Sequence, residues 1–349
     1  MLKKKHVVIS LEHPAWVHQF KGVIQNLKEE GHAVTVFAIK KDITIYLLEK
    51  FSIPYILVAT NTGKGFFQKA WLLISITFKI WHSLLEKKPD IFIGRASPMM
   101  ALNAFLFRRP HIVYEDTERS FVSLAICKLF SSKIVTNKSF LRNLGKKHLL
   151  VDTHKELFYL HPDELVLNNS VLEAYGLTPK DTFSIVRFVA WNADHDMGHQ
   201  GIPDELKIRA VREFEKYGRV LVTSEVPVPA ELEAYLIKVA PEHIHSLMYH
   251  ASLVFGESAT MASEAAMLGV HSVFCYFAQI GTTSDIEKNY NLLFNFGLSE
   301  TEISKAIDKG IELLKDKEIK LKGKSKLNSL YHSKVNGTKI FLEQLKPFL

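Results

Sequence analysis

The stretch of this 349-residue chain with the clearest chemistry is GESATMASEAAMLG, Gly256 to Gly269, directly after the apolar run Leu253 to Phe255. A loop of small residues entering a helix leaves the first-turn backbone N–H groups unpaired, and the helix dipole adds positive potential there. Ser258, Ala259 and Thr260 are therefore placed to hold an anion such as a phosphate or diphosphate. Glu264, one turn beyond Thr260, could accept hydrogen bonds from ribose hydroxyls. The same spacing also fits plain capping by Ser258 or Thr260, with Glu264 in a capping-box role. A nucleophile elbow is excluded, because Thr260 stands where that motif needs its second glycine.

The second candidate is VRFVAWNADHDMGHQG, Val186 to Gly201, at the end of another apolar run. Arg187 there has the planar fork suited to phosphate charge. Asp194, His195, Asp196 and His199 crowd the following loop. Their spacing fixes no ligand set, so no metal is expected, and Asp194 and His195 are read as substrate-binding candidates within a hydrogen-bonded network. Near the start, LEHPAWVHQF puts Glu12, His13 and His18 where a dinucleotide fold would carry its glycine fingerprint. Neither that fingerprint nor a P-loop is present. His13 and His18 are candidate general bases, with structural packing as the alternative. EDTER, Glu115 to Arg119, crowds Glu115, Asp116 and Glu118 into four residues, an unfavourable arrangement unless they are solvated or bound to something. They are candidate acid/base or acceptor-binding groups, the alternative being a helix cap at Asp116 or Thr117.

Positioning these residues requires a repeating scaffold, and the sequence supplies one. Short apolar runs (6–10, 33–39, 55–58, 91–93, 111–114) alternate with helical patterns (16–30, 42–51, up to 86, 98–107), which predicts a parallel sheet covered on both faces. The rhythm breaks across 152–180, then resumes with strands at 183–189, 219–223, 253–255 and 271–275 and helices at 203–217, 230–239 and 260–268. The fold class is α/β: two Rossmann-like doubly wound domains facing across a cleft, with a C-terminal helical tail and ligands at the strands' carboxyl ends. Two domains also suit the length.

Composition narrows the classes further. With 47% hydrophobic and 23% charged residues, the chain is neither disordered nor membrane-spanning throughout. Cys127 and Cys275 stand alone in apolar runs, which points to a reducing compartment and no disulfide framework. The basic start is too short for a signal peptide, so a cytoplasmic location is expected. The net charge of +7 is uneven: residues 1–160 carry +12, 161–304 carry −11 and 305–349 carry +6. The basic first half is expected to face an anionic acceptor or the cytoplasmic membrane leaflet rather than a nucleic acid. Residues 65–85 are apolar nearly all round, but their uncharged core is about half the roughly 20 residues a span needs. Core burial is the favoured reading, with lipid contact flanked by Lys64, Lys69, Lys79, Lys87 and Lys88 as the alternative.

VRFVAWNADHDMGHQG, GRVLVTSE and IHSLMYHASLVFGESATMASEAAMLGV, with EHPAWVHQFKGVIQNLKEEGHAVTV and EDTE upstream, resemble the domain of unknown function 354 family, whose members are similar to the glycosyltransferase-B superfamily. The segment after Cys275 keeps Gly281 but is less distinctive. The resemblance implies a nucleotide-sugar donor held mainly by the second domain and a role in surface polysaccharide or glycolipid assembly. It implies an acceptor-side domain over 1–160, a donor domain over 161–330, and a C-terminal helix over 331–349 able to cross back to the first domain. The expected activity is a metal-independent, GT-B-type glycosyl transfer, with the nucleotide-sugar as substrate, no cofactor, and a glycan or glycolipid acceptor. The alternatives are a non-hydrolysing nucleotide-sugar 2-epimerase, in which Glu115, Asp116 or Glu118 takes the ring proton, and a non-catalytic nucleotide-sugar-binding protein of an assembly complex.

Overall fold

A computed structural model of the chain describes residues 4–60, 65–191 and 201–349. It divides into two compact units, Met1–Glu164 with Val335–Leu349, and Leu165–Lys334. The first holds a seven-stranded parallel sheet of β1 (His6–Leu11), β2 (Ala33–Ile39), β3 (Ile56–Ala59), β4 (Ile91–Gly94), β5 (His111–Tyr114), β6 (Lys133–Asn137) and β7 (His148–Val151). Its order is β3-β2-β1-β4-β5-β6-β7. Val7, Val8, Ile9 and Ile91 to Ile93 are fully buried, as strands covered on both faces must be. The winding reverses between β1 and β4, which opens a crevice at their carboxyl ends.

Helices cover both faces of this sheet: α1 (Pro14–Glu29), α2 (Thr44–Lys50), α3 (Phe66–Leu84), α4 (Pro98–Phe107) and α5 (Phe121–Phe130). The α1 helix starts at once after β1 because Pro14 suits the first helical position and His13 caps it. Helix α4 packs between α3 and α5. The expectation of core burial for 65–85 holds for Ile76, Ile80 and Leu84, but fails for Phe67, Trp71, Ile74 and Phe78, which are 55–87% exposed. Those four recur at helical spacing and form one outward stripe. Lys64 lies outside the described residues.

The second unit holds β8 (Phe183–Phe188), β9 (Arg219–Ser224), β10 (Leu253–Gly256), β11 (His271–Cys275) and β12 (Leu293–Phe296), all parallel, in the order β12-β11-β10-β8-β9. Its winding reverses between β8 and β10. Around it lie α6 (Asp204–Glu215), α7 (Ile244–His250), α8 (Ala259–Met267), α9 (Gly281–Tyr290), α10 (Glu300–Lys315) and α11 (Ile319–Ser333). The helix expected over 230–239 is instead a 3₁₀ segment, Ala230–Tyr235. The Ile237 amide bonds the Val222 carbonyl at 2.9 Å, so the chain leaves the helix to satisfy the sheet edge.

The chain changes unit between Glu164 and Leu165 and returns between Lys334 and Val335, against expected boundaries at 160 and 330. Both crossings are tied within the first unit: the Val335 amide donates to Asp152 O at 2.9 Å, and Asn336 Nδ2 to Glu164 Oε1 at 3.0 Å. The last helix, α12 (Gly337–Leu345), then packs Phe341 among Phe20, Tyr114 and Phe158, with ring centroids 5.6–6.4 Å away. A Cβ on Gly337 would come within 2.2 Å of the Phe158 ring, so this entry admits only glycine. Phe341→Ala should therefore lose about 3–5 kcal/mol in chemical denaturation. Phe67→Ala, on the exposed stripe, should change stability by less than about 0.5 kcal/mol; equal losses would mean that α12 is not part of the first core.

Candidate functional site

In the second unit, the strands beside the reversal deliver the residues singled out from sequence. Gly256 ends β10 with φ +147°, and a Cβ there would lie 2.0 Å from the Arg187 carbonyl oxygen, so close approach of β10 to β8 requires glycine. Ser258 caps α8, its hydroxyl accepting from the Met261 amide at 3.3 Å. Ala259 and Thr260 supply the first-turn amides that this cap does not use. Glu264 lies buried on α8, its Oε1 accepting a hydrogen bond from His245 Nε2 on α7 at 3.0 Å. Arg187, half-buried at the end of β8, is ion-paired to Glu225. Its charge meets an incoming phosphate only by sharing or exchanging that carboxylate. Asp194 and His195 lie outside the described residues.

Glu257, to which the sequence reading gave no role, organises this edge. It is buried, and it accepts from the Val189 amide at 3.1 Å, from Trp191 Nε1 at 3.3 Å and from the Ile202 amide. One carboxylate thus ties Val189 and Trp191 to Ile202. Burial raises its proton affinity, and the three donors offset that only in part. Trp191 stacks on Tyr276 at 5.7 Å, an aromatic wall beside the same strand ends.

In the first unit, the residue that binds the site together is Arg95, at the end of β4. It is 5% exposed and contacts Glu115, Asp116, Thr117 Oγ1 at 3.1 Å and Gln19 Oε1 at 3.1 Å. Glu115 Oε1 also accepts from the amides of Asp116 and Thr117, both at 2.9 Å, and Lys155 Nζ reaches Asp116 Oδ2 at 2.8 Å. The two adjacent carboxylates suspected from sequence are therefore bound, as like charges so close must be. Against its own burial, the Arg95 and Lys155 charges hold the Asp116 carboxyl well below the usual range. Glu118 stays half-buried, its carbonyl accepting from Arg142 at 2.8 Å.

His13 and Glu12 border this cluster. The His13 Nδ1 accepts from the Ala15 amide at 3.2 Å, so in the neutral ring the proton sits on Nε2. Burial, and then the charges of Lys41, Arg95 and Lys155, lower its pKa to about 4. Glu12 Oε1 accepts from Ser10 Oγ at 2.7 Å, and burial raises its pKa against the opposing effects of Ser97, Ser10 and Lys41. His18 is buried against Phe51 and Tyr159, at 5.5 and 5.6 Å, and belongs to aromatic packing. Among the described residues, no group of three or more His, Cys, Asp or Glu is arranged to hold a metal.

The His13 environment has a measurable consequence. Its folded pKa lies below the unfolded value near 6.5, so its contribution to stability is complete above about 6.5 and is lost as pH falls toward 4. His13→Asn preserves the cap without the titration. Wild type should lose stability more steeply than this variant between neutral pH and pH 4.5 in denaturant titrations, and parallel slopes would refute the buried neutral ring.

Comparison with known proteins now adds to the geometry. A 121-residue stretch is 31% identical to a UDP-N-acetylglucosamine--N-acetylmuramyl-(pentapeptide) pyrophosphoryl-undecaprenol N-acetylglucosamine transferase of Sulfurihydrogenibium sp. (strain YO3AOP1). That stretch is 32% of this chain and spans only about a third (34%) of the transferase. A UDP-GlcNAc 2-epimerase from Neisseria meningitidis, solved bound to UDP-GlcNAc, superposes with a TM-score of 0.71 at 14% identity, over 98% of this chain and 100% of that one. The glycotransferase of kitacinnamycin superposes at 0.65 and 10% identity, over 99% and 100%. Likeness at such identities concerns the fold, which is GT-B-like. The family model described as "Protein of unknown function (DUF354)" matches residues 5–338, and the chain belongs to that family.

Proposed function

We propose that the chain is a metal-independent glycosyltransferase that moves a sugar from a nucleotide-sugar to a glycolipid or polysaccharide acceptor in cell-surface glycan assembly, working at the cytoplasmic membrane face. The amides of Ala259 and Thr260 with Arg187 would hold the diphosphate, and Glu264, oriented by His245, the ribose. The acceptor oxygen attacks the sugar's anomeric carbon as the bond to the diphosphate breaks, and the fixed α8 amides stabilise the charge on the leaving group. We assign the acceptor's proton to Glu12, whose proton affinity burial raises; the neutral His13 ring, with Nδ1 held by the Ala15 amide and its proton on Nε2, has no lone pair to take it. Glu115 and Asp116 are already committed to Arg95, which suits them to shaping the site rather than to exchanging protons.

The observation that favours a lipid-borne acceptor is the apolar surface of the α3–α4–α5 layer. Phe67, Trp71, Ile74 and Phe78 on α3 are exposed together with Phe105 and Leu106 on α4 and Phe121, Val122 and Leu129 on α5. An apolar surface this extensive marks an interaction site. The unit bearing it has 26 Lys and Arg against 15 Asp and Glu, a net +11, while the second unit carries 18 against 22. Apolar aromatics within basic charge suit docking to an anionic bilayer. No helix among the described residues is long and apolar enough to cross one. The matched stretch of a transferase whose named acceptor carries undecaprenol supports the same reading.

Three measurements test this. Calorimetry with UDP-N-acetylglucosamine first, then guanosine, cytidine and thymidine analogues, should find one donor whose affinity falls about ten-fold or more in Glu264→Ala and Arg187→Ala; unchanged affinity would remove the donor site from this edge. The chain should sediment with phosphatidylglycerol vesicles in a salt-sensitive way, and Trp71→Ser with Phe78→Ser should abolish this without lowering the melting temperature. Equal binding by the variant would return the stripe to ordinary surface. Incubating the donor in deuterated water without acceptor should leave C2 unlabelled, whereas deuterium at C2 would establish the 2-epimerase, the reading that the full-length epimerase neighbours favour.

A further inference from the structure

The second unit has a cavity of about 150 Å³ at the edge of its sheet opposite the proposed donor site. It is lined where β10 and β11 begin, by Ser252, His271, Tyr249 and His250, and by Lys320 and Lys324 of α11. Among the described residues, neither lysine has a carboxylate within ion-pair distance. Lys324 Nζ donates to Leu268 O at 2.6 Å and lies 3.3 Å from the Tyr249 ring centre; Lys320 Nζ donates to Asp181 O at 2.6 Å and Pro179 O at 3.4 Å. The nearby Asp181 carboxylate is turned to the Thr178 amide and hydroxyl.

Among the described residues, two buried polar groups of this lining find no hydrogen-bond partner. The Ser252 hydroxyl is one, in a residue 2% exposed. The other is His271 Nδ1, in a residue 3% exposed. Lys326 Nζ sits 3.1 Å from His271 Nε2 and, as an ammonium, can only donate, so the ring's proton is on Nδ1. Two ammonium groups, a ring N–H and a hydroxyl are thus gathered around one small space. Lys324 closes the end of α8, and Lys320, 5.6 Å from the Phe183 ring centre, bonds two carbonyls of the turn before β8, but neither role accounts for the orphaned ring nitrogen and hydroxyl.

We propose that this cavity binds a phosphate-sized tetrahedral oxyanion between Lys320, Lys324, His271 and Ser252, as a site separate from the nucleotide-sugar edge. The space is large enough for inorganic phosphate. The crowding it would relieve is visible in Lys324, whose pKa is lowered to about 7, mainly by burial and then by the Lys320 charge. An anion between the two lysines removes that repulsion and completes the hydrogen bonding of the ring and hydroxyl. The inference does not rest on the transferase reading, since none of these residues belongs to that site.

The test is a titration of the full chain with inorganic phosphate in a phosphate-free buffer at constant ionic strength, followed by calorimetry and by the shift in melting temperature. Wild type should show saturable binding, weakened about ten-fold or more in Lys320→Gln and Lys324→Gln and a few-fold in Ser252→Ala. Lys79→Gln, in the other unit, should bind like wild type. Lys324→Gln also loses the bond to Leu268 O; should it fail to fold, Lys320→Gln and Ser252→Ala decide. Absence of saturable binding up to tens of millimolar phosphate would overturn the proposal, as would equal affinity in wild type and Lys320→Gln.

Discussion

A parallel sheet delivers every strand to the same edge, and where its winding reverses the neighbouring connections part, leaving polar strand ends that no helix covers. Everything else in this chain is arranged around two such edges. Each must hold backbone and charged groups in a partly dry crevice, and each does so through one buried charge. In the first unit the charge is positive: Arg95 gathers Glu115, Asp116, Thr117 and Gln19 from two connections. In the second it is negative: Glu257 gathers the Val189 and Ile202 amides and the Trp191 indole. Removing either would strand its partners without compensation, which costs far more than the pairing itself contributes.

The opposite signs have a chemical corollary. The Arg95 and Lys155 charges hold Asp116 below the usual carboxylate range, while burial pushes Glu12, His13 and Glu156 near it toward their neutral forms. The second edge, with its carboxylate turned inward to backbone donors, leaves outward-facing amides at the start of α8. The proposed diphosphate site lies in the unit with the lower net charge, so an anion there would not be drawn by the overall field. Local dipoles, not the overall field, decide the second edge.

Much of this scaffold was legible because strands buried on both faces are continuous apolar runs. Helix 98–107 and strands 111–114 and 271–275 appear in the structure at the residues the pattern predicts. The apolar pattern does not reveal α5, β6, β7, α7 or β12: Lys133–Asn137 offers only two apolar residues between polar ends, and Leu293–Phe296 falls where only helices are expected after 271–275. The site was legible only where a loop of small residues precedes a helix. Arg95 follows Gly94 in a stretch with no motif, and its partners stand about 20 residues on; its meaning exists only once β4 and β5 are neighbours. Glu257 lies inside the conspicuous GESAT stretch, yet its role depends on amides 55 and 68 residues away.

The α3 helix shows why periodicity alone could not choose between core and surface. Ile76, Ile80 and Leu84 recur every fourth residue and are buried, while Phe67, Trp71, Ile74 and Phe78 recur at the same spacing on another side and are exposed. A helix with one apolar stripe has one dry neighbour, and a helix with two has two. The sheet is the first neighbour. Leaving four large apolar side chains in water forgoes about 1.5–3 kcal/mol for each that could be buried. Exposed apolar residues of α4 and α5 continue the surface. On the proposed reading, this layer of the basic unit is the surface that would meet lipid, its aromatic side chains entering the headgroup region between lysines.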